Sequence, residues 1–112
     1  MLQAYLAERY VGFDNDQGLF MKLIEEVGEV AEVLNQRRGF KAQKDQDLDR
    51  ALAMELADLL HYTVALAAVH HLPLQEIILE KDKQASIKYQ HAMNLEQYIL
   101  TKGDKGEKNV TD

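Results

Sequence analysis

The stretch Ala51-Leu52-Ala53-Met54-Glu55-Leu56-Ala57-Asp58-Leu59-Leu60-His61-Tyr62-Thr63-Val64-Ala65-Leu66-Ala67-Ala68-Val69 contains neither glycine nor proline and is apolar nearly all round. Together with its flanks it predicts one helix from about Leu48 to His71. A helix of that pattern is covered on most sides, whereas a small bundle covers only one stripe of each helix. A second subunit is therefore expected against it. Glu55, Asp58 and His61 interrupt the run, so it is not a clean membrane span. On a helical wheel Glu55 and Asp58 fall among Leu48, Ala51, Leu59, Tyr62, Leu66 and Val69. Burying unpaired carboxylates costs several kcal/mol, and no lysine or arginine occurs between Ala51 and Leu79. A bound cation is the economical explanation.

Working outward, three further helical segments appear and no strand pattern does. Leu2 to Val11 carries Leu2, Tyr5 and Leu6 on one face and is broken by Gly12-Phe13-Asp14-Asn15-Asp16, where Asp14 or Asp16 is placed to cap the second helix. From Gln17 to Arg38, Phe20, Leu23, Ile24, Val27, Ala31 and Leu34 keep the spacing of one buried stripe. Arg37, Arg38 and Gly39 then form a C-terminal signature. Phe40 to Asp47 reads as a polar loop in which Lys41 and Lys44 are solvated. Pro73 suits the first position of a fourth helix running towards Ile99. The expected fold class is all-α, a helical bundle of about four helices completed by oligomerisation. Residues 1–100 form the domain and Thr101–Asp112, with Gly103 and Gly106, a flexible tail.

A length of 112 residues suits one domain, and 46% hydrophobic with 29% charged residues is a globular composition. The absence of cysteine excludes disulfides and thiolate chemistry. A net charge of −6 argues against nucleic-acid binding, which needs a basic footprint. The first residues lack a signal-peptide layout, and a cytoplasmic protein with no membrane partner is expected.

The second segment contains Glu25-Glu26-Val27-Gly28-Glu29. Residues three and four apart share a side of a helix, so Lys22, Glu26 and Glu29 line up beside the apolar stripe. Glu25 lies about 100° away, near Glu32. Two acid pairs on facing helices make a hard, all-oxygen site suited to Mg²⁺ or Mn²⁺. His61, His70 and His71 are read as structural or helix-terminal residues.

Glu25-Glu26-x-x-Glu29 followed by Glu55-x-x-Asp58, with Lys22-Leu23-Ile24 before and Gly28-Glu29-Val30-Ala31-Glu32 within, resembles the signature of the MazG-like all-α nucleoside triphosphate pyrophosphohydrolases. The likeness extends from about Met1 to Tyr89. It implies a helical dimer, or dimer of dimers, that hydrolyses a (deoxy)nucleoside triphosphate to the monophosphate and pyrophosphate. It also implies Glu26, Glu29, Glu55 and Asp58 as Mg²⁺ ligands, Mn²⁺ being an alternative, and Glu25 as the base acting on water. Lys22, Lys83 and Lys88 become phosphate contacts, although this chain has Gln84 and Lys88 where such proteins often have asparagine and arginine. No base-binding pattern transfers; Phe13, Phe20, Tyr62 and Tyr89 are the aromatic candidates. Nucleotide-pool housekeeping fits better than phosphoribosyl-ATP hydrolysis. Competing readings are a di-metal carboxylate bundle, which typically needs Glu-x-x-His twice where this chain has only Asp58-x-x-His61, and a non-catalytic helical oligomer.

Overall fold

The protein is described by a computed structural model that covers residues 1–39 and 45–106, with side chains described for 1–39 and 47–102. Among the described residues it is all-α: α1 (Leu2–Arg9), α2 (Asp16–Gly39), α3 (Asp45–Val69), α4 (Leu74–Lys88) and α5 (Leu95–Gly106). The chain divides into two compact units, Met1–Leu72 and Pro73–Asp112.

In the first unit α1 and α2 both pack on α3. Leu6, fully buried, anchors α1. Gln3 donates to the carbonyl of Leu72 at one end, and the Tyr10 hydroxyl meets His61 at the other, so α1 runs antiparallel over the C-terminal half of α3. Gly12, at φ +78, turns the chain where a side chain would be strained. Asn15, rather than Asp14 or Asp16, caps α2: its Oδ1 accepts from the Gly18 N–H at 3.0 Å. Gly18 permits that approach, since a Cβ there would lie 2.4 Å from the Asn15 amide nitrogen. Side-chain contacts close both ends of the antiparallel α2–α3 pair, a His70–Asp16 hydrogen bond at 3.0 Å and an Arg37–Asp49 ion pair at 2.8 Å.

The α2 stripe differs from expectation. The buried positions are Leu19, Glu26 and Val33, one every seven residues, the spacing of a helix–helix seam. Phe20, Ile24, Val27 and Leu34 are instead 44–49% exposed. The cause is that α3 contacts α2 along one narrow seam, and among the described residues of this unit the richer apolar face beside it stays exposed. α3 is likewise covered in part. Val64, Ala65, Ala67 and Ala68 are buried near its C-terminal end, while Met54 and Leu60 are each 56% exposed. By length and composition Asp47–Val69 would suffice to cross a membrane. Charged groups at Glu55 and Asp58 in mid-span, and two helices packed along it, fit a bundle core better.

In the second unit the expected single fourth helix is two. α4 ends at Lys88, Gln90 takes a left-handed φ of 57°, and the His91 N–H returns to the Ser86 carbonyl at 2.9 Å. α5 then starts on a reciprocal cap: Gln97 N–H to Asn94 Oδ1 at 2.8 Å and Asn94 N–H to Gln97 Oε1 at 2.9 Å. The Asp82 carboxylate accepts from Leu95 N–H and ties the two helices together. α5 runs to Gly106, so the residue-101 boundary expected for a tail falls inside a helix, and 107–112 lie outside the described residues.

Candidate metal centre

α2 and α3 place three acids together. Glu26, Glu29 and Glu55 each offer a carboxylate oxygen, and these oxygens lie within 4.8 Å of one another. Glu26 comes from the inner seam of α2, Glu29 from the same side one turn on, and Glu55 from the facing side of α3. Glu26 is 9% exposed, Glu55 half-buried and Glu29 exposed. The buried acid is thus on α2, not on α3 as the all-round apolar stretch suggested. Glu55 and Asp58 sit near the middle of α3, and Asp58 is exposed. Asp58 stands outside the group of three, yet its charge is felt at Glu26 and Glu55.

The three carboxyls and Asp58 concentrate negative charge at a partly buried place. The Glu26 carboxyl is pushed from 4.5 up to about 7, first by burial, then by the hydrogen bond and charge of Glu29, then by Asp58 and Glu55. Glu55 is raised for the same reasons, desolvation first and Glu29 next. Its Oε2 buried and without a hydrogen-bond partner, Glu26 carries an orphaned acceptor, a situation native proteins seldom leave uncompensated. Among the described residues no lysine or arginine pairs with Glu26, Glu29, Glu55 or Asp58.

The remaining candidates are not part of that group. Glu25 is exposed on the flank of α2 and meets Lys22 at 3.9 Å, so Lys22 leans towards Glu25. Lys83 and Lys88 belong to the second unit. Lys83 stands with Glu76, Glu80 and Glu96 around a shallow cavity, and Lys88 lies 5.4 Å over the Tyr89 ring. Lys41 and Lys44 lie outside the described residues. Of the aromatic candidates, Phe20 lines an apolar cavity of about 380 Å³ with Leu66, Leu72 and the Asp16–His70 pair. Phe13 and Tyr62 instead join a cluster centred on Tyr10 and His61. Tyr10 carries no signal in the sequence, because its partner is 51 residues away. Glu26 did carry one: it sits midway between Leu19 and Val33, at a position where the seven-residue seam calls for an apolar side chain.

Comparison with known proteins identifies the family. Residues 14–91 match the model of the MazG nucleotide pyrophosphohydrolase domain, a stretch that spans α2, α3, α4 and Glu25, Glu26, Glu29, Glu55 and Asp58. The chain belongs to that family. It is also similar to the uncharacterized protein YpjD of Bacillus subtilis (strain 168), 31% identical over 72 residues, 64% of this chain. That match spans 65% of the relative's own length. No solved structure matches. The donor set fits the divalent ion such a domain implies: every donor is a carboxylate oxygen, one of them buried and unpartnered, which is the chemistry Mg²⁺ and Mn²⁺ prefer.

Proposed function

We propose that this protein is a Mg²⁺-dependent nucleotide pyrophosphohydrolase that converts a (deoxy)nucleoside triphosphate to its monophosphate and pyrophosphate, in nucleotide-pool housekeeping in the cytoplasm. The observation that carries the reading is Glu26: a buried carboxylate with an unpartnered oxygen, facing Glu29 and Glu55, in a chain of this family. Glu26, Glu29 and Glu55 hold the ion, with Asp58 completing the set from the next turn of α3. Mn²⁺ is a workable substitute. When bound, the ion supplies positive charge that neutralises the phosphates and the charge moving onto the leaving pyrophosphate.

The chain's own groups supply the rest. Glu25, held outside the ligand set on the flank of α2, takes a proton from water. The water oxygen bonds to the α-phosphorus, the α–β bridging bond breaks, and its electron pair leaves with pyrophosphate. Lys22 is close enough to Glu25 to fix its orientation and offers a charge to a phosphate. Lys83 and Lys88 are phosphate contacts on the strength of the family resemblance.

The same reading includes self-association, as a dimer or tetramer. Phe20, Ile24, Val27 and Leu34 on α2, and Leu56 and Leu60 on α3, are exposed apolar side chains flanking the acids. Contiguous apolar faces of that kind mark interfaces. Turnover of a panel of ribo- and deoxynucleoside triphosphates with Mg²⁺, scored by pyrophosphate release, tests the assignment. Pyrophosphate and monophosphate formed one to one support it. No turnover by the intact oligomer on any member would favour the non-catalytic helical module. The di-metal bundle is less well supported, since His61 engages Tyr10 and not the acids.

A further inference from the structure

α1 stops short of the acids, and what it ends on is an aromatic wall. The α3 stripe that α1 covers runs through Ala68, Ala65 and Val64, all buried. It continues towards the N-terminus as His61, Asp58, Ala57 and Met54, and there it becomes bare: Met54, Ala57 and Asp58 are exposed. At the boundary Tyr10, the last residue of α1's cap, hydrogen-bonds His61 Nε2 through its hydroxyl at 3.1 Å. Gly12 turns the chain so that Phe13 packs edge-on to Tyr10 at 5.3 Å, itself 40% exposed, and Tyr62 packs edge-on to His61 at 5.0 Å. The Tyr10–His61 bond uses one polar function of each ring. The second ring nitrogen of His61 and the remaining hydrogen-bonding capacity of the Tyr10 hydroxyl are left to a further partner. From Glu55 to His61 the distance along the α3 axis is about 9 Å. A sugar separates phosphate from base in a nucleotide, so a phosphate at the acids puts the base beside this wall.

Resting on the pyrophosphohydrolase reading, we infer that the Tyr10–His61 pair is the base-reading element of the site. The heterocycle lies on the Met54–Ala57 shelf against Phe13, and the tyrosine hydroxyl and histidine ring hydrogen-bond its polar edge. The Tyr10–His61 pair can present either polarity, and its fixed place at the wall sets where on the base edge the partner group must stand. With the hydroxyl donating to Nε2, the tyrosine oxygen accepts from an exocyclic amine. With Nε2–H donating to that oxygen, the hydroxyl donates to a keto group. A base offering neither in the right place leaves half-buried polar groups unpaired, which is the stronger basis for rejection.

The test is kcat/KM for the four common deoxynucleoside triphosphates and their ribo counterparts, measured on the wild type, Tyr10→Phe and His61→Gln. Tyr10→Phe keeps the ring and removes only the hydroxyl, so the packing against Phe13 is retained, and melting temperatures check that both variants fold. The expected result is a wild type that prefers one base, and a Tyr10→Phe variant in which that preference shrinks about tenfold, the worth of one good hydrogen bond. The loss should lie mainly in KM for the preferred base, with kcat little changed. If the wild type turns over triphosphates and Tyr10→Phe keeps the full preference, or if the wild type prefers no base, the inference is overturned and the pyrophosphohydrolase reading stands. If the wild type turns over none of them, both fall.

Discussion

Replacing Glu26 by glutamine should make the metal-free protein more stable, and the gain should depend on pH. The Glu26 carboxyl is held at about 7 against an ordinary 4.5, with burial as the main cause. Below pH 4.5 it is protonated in both the folded and the unfolded chain and contributes no difference. Between 4.5 and about 7 the unfolded chain ionises first, so folding is penalised progressively as pH rises, and above about 7 the penalty is complete. The full shift would correspond to roughly 3 kcal/mol; allowing for solvent screening around exposed Glu29 and Asp58 brings it to about 1–3 kcal/mol. For a chain of this size that is about 4–12 °C in melting temperature. Glutamine has the shape and neutrality of the protonated acid, so the variant-minus-wild-type difference cancels the other titrating groups. Melting curves in EDTA should coincide near pH 4.5 and separate by pH 8, with Glu26→Gln the higher. Saturating Mg²⁺ should reverse the order, because an ion that binds only the folded wild type stabilises it by mass action. A difference flat across pH, or a Glu26→Gln variant that melts lower than wild type at pH 8 without metal, would refute the reasoning.

Two further outcomes rest on the same geometry. Glu25→Gln should leave metal affinity by calorimetry largely intact while lowering kcat by about 10²-fold or more, whereas Glu29→Gln and Asp58→Asn should weaken both; equal loss of metal from Glu25→Gln would make Glu25 a ligand. Light scattering at micromolar concentration should find a dimer or larger assembly, and Val27→Lys or Leu60→Lys should shift it towards monomer; a monomeric wild type would contradict the partner-covered faces.

Much of the fold and of the site is legible in the amino-acid order alone. The all-α class comes from three-four spacing in every segment and from the absence of a period-two run. The two acid pairs are legible because a helix puts residues three apart on one side, and the structure brings three of those four acids together. What the sequence could not supply was which face of α2 meets α3. Both the Phe20–Leu34 stripe and the Leu19–Val33 seam keep helical spacing, and spacing alone does not say which of them packs. The described chain buries the Leu19–Val33 seam and leaves the broader stripe exposed. The break between α4 and α5 was hidden for a different reason. It rests on a left-handed glutamine and on an Asp82–Leu95 bond between residues 13 apart, and neither leaves a composition signal.

The position of Glu26 links stability to function. Leu19, Glu26 and Val33 succeed one another at seven-residue intervals along the α2 seam, with an aliphatic side chain above and below the acid. Judged as a packing position, residue 26 calls for leucine. Glu26→Leu would fill the seam, remove an unpartnered buried oxygen and end the repulsion from Glu29, Glu55 and Asp58; replacing buried charged groups by apolar ones of similar volume is often neutral or stabilising. An acid held there against packing, solvation and three like charges costs stability, which either a proton on the carboxyl or a bound cation would relieve. From Ala51 onward the neighbouring helix offers no basic side chain, since lysine and arginine are absent from Ala51 to Leu79. Local rules are broken most often where a site is being kept, and here the one break in the α2 seam coincides with the group of three carboxylates. Glu26→Leu should therefore yield a protein that melts higher without metal, no longer gains stability from Mg²⁺, and releases no pyrophosphate. A leucine variant that still responded to Mg²⁺ would place the ion elsewhere.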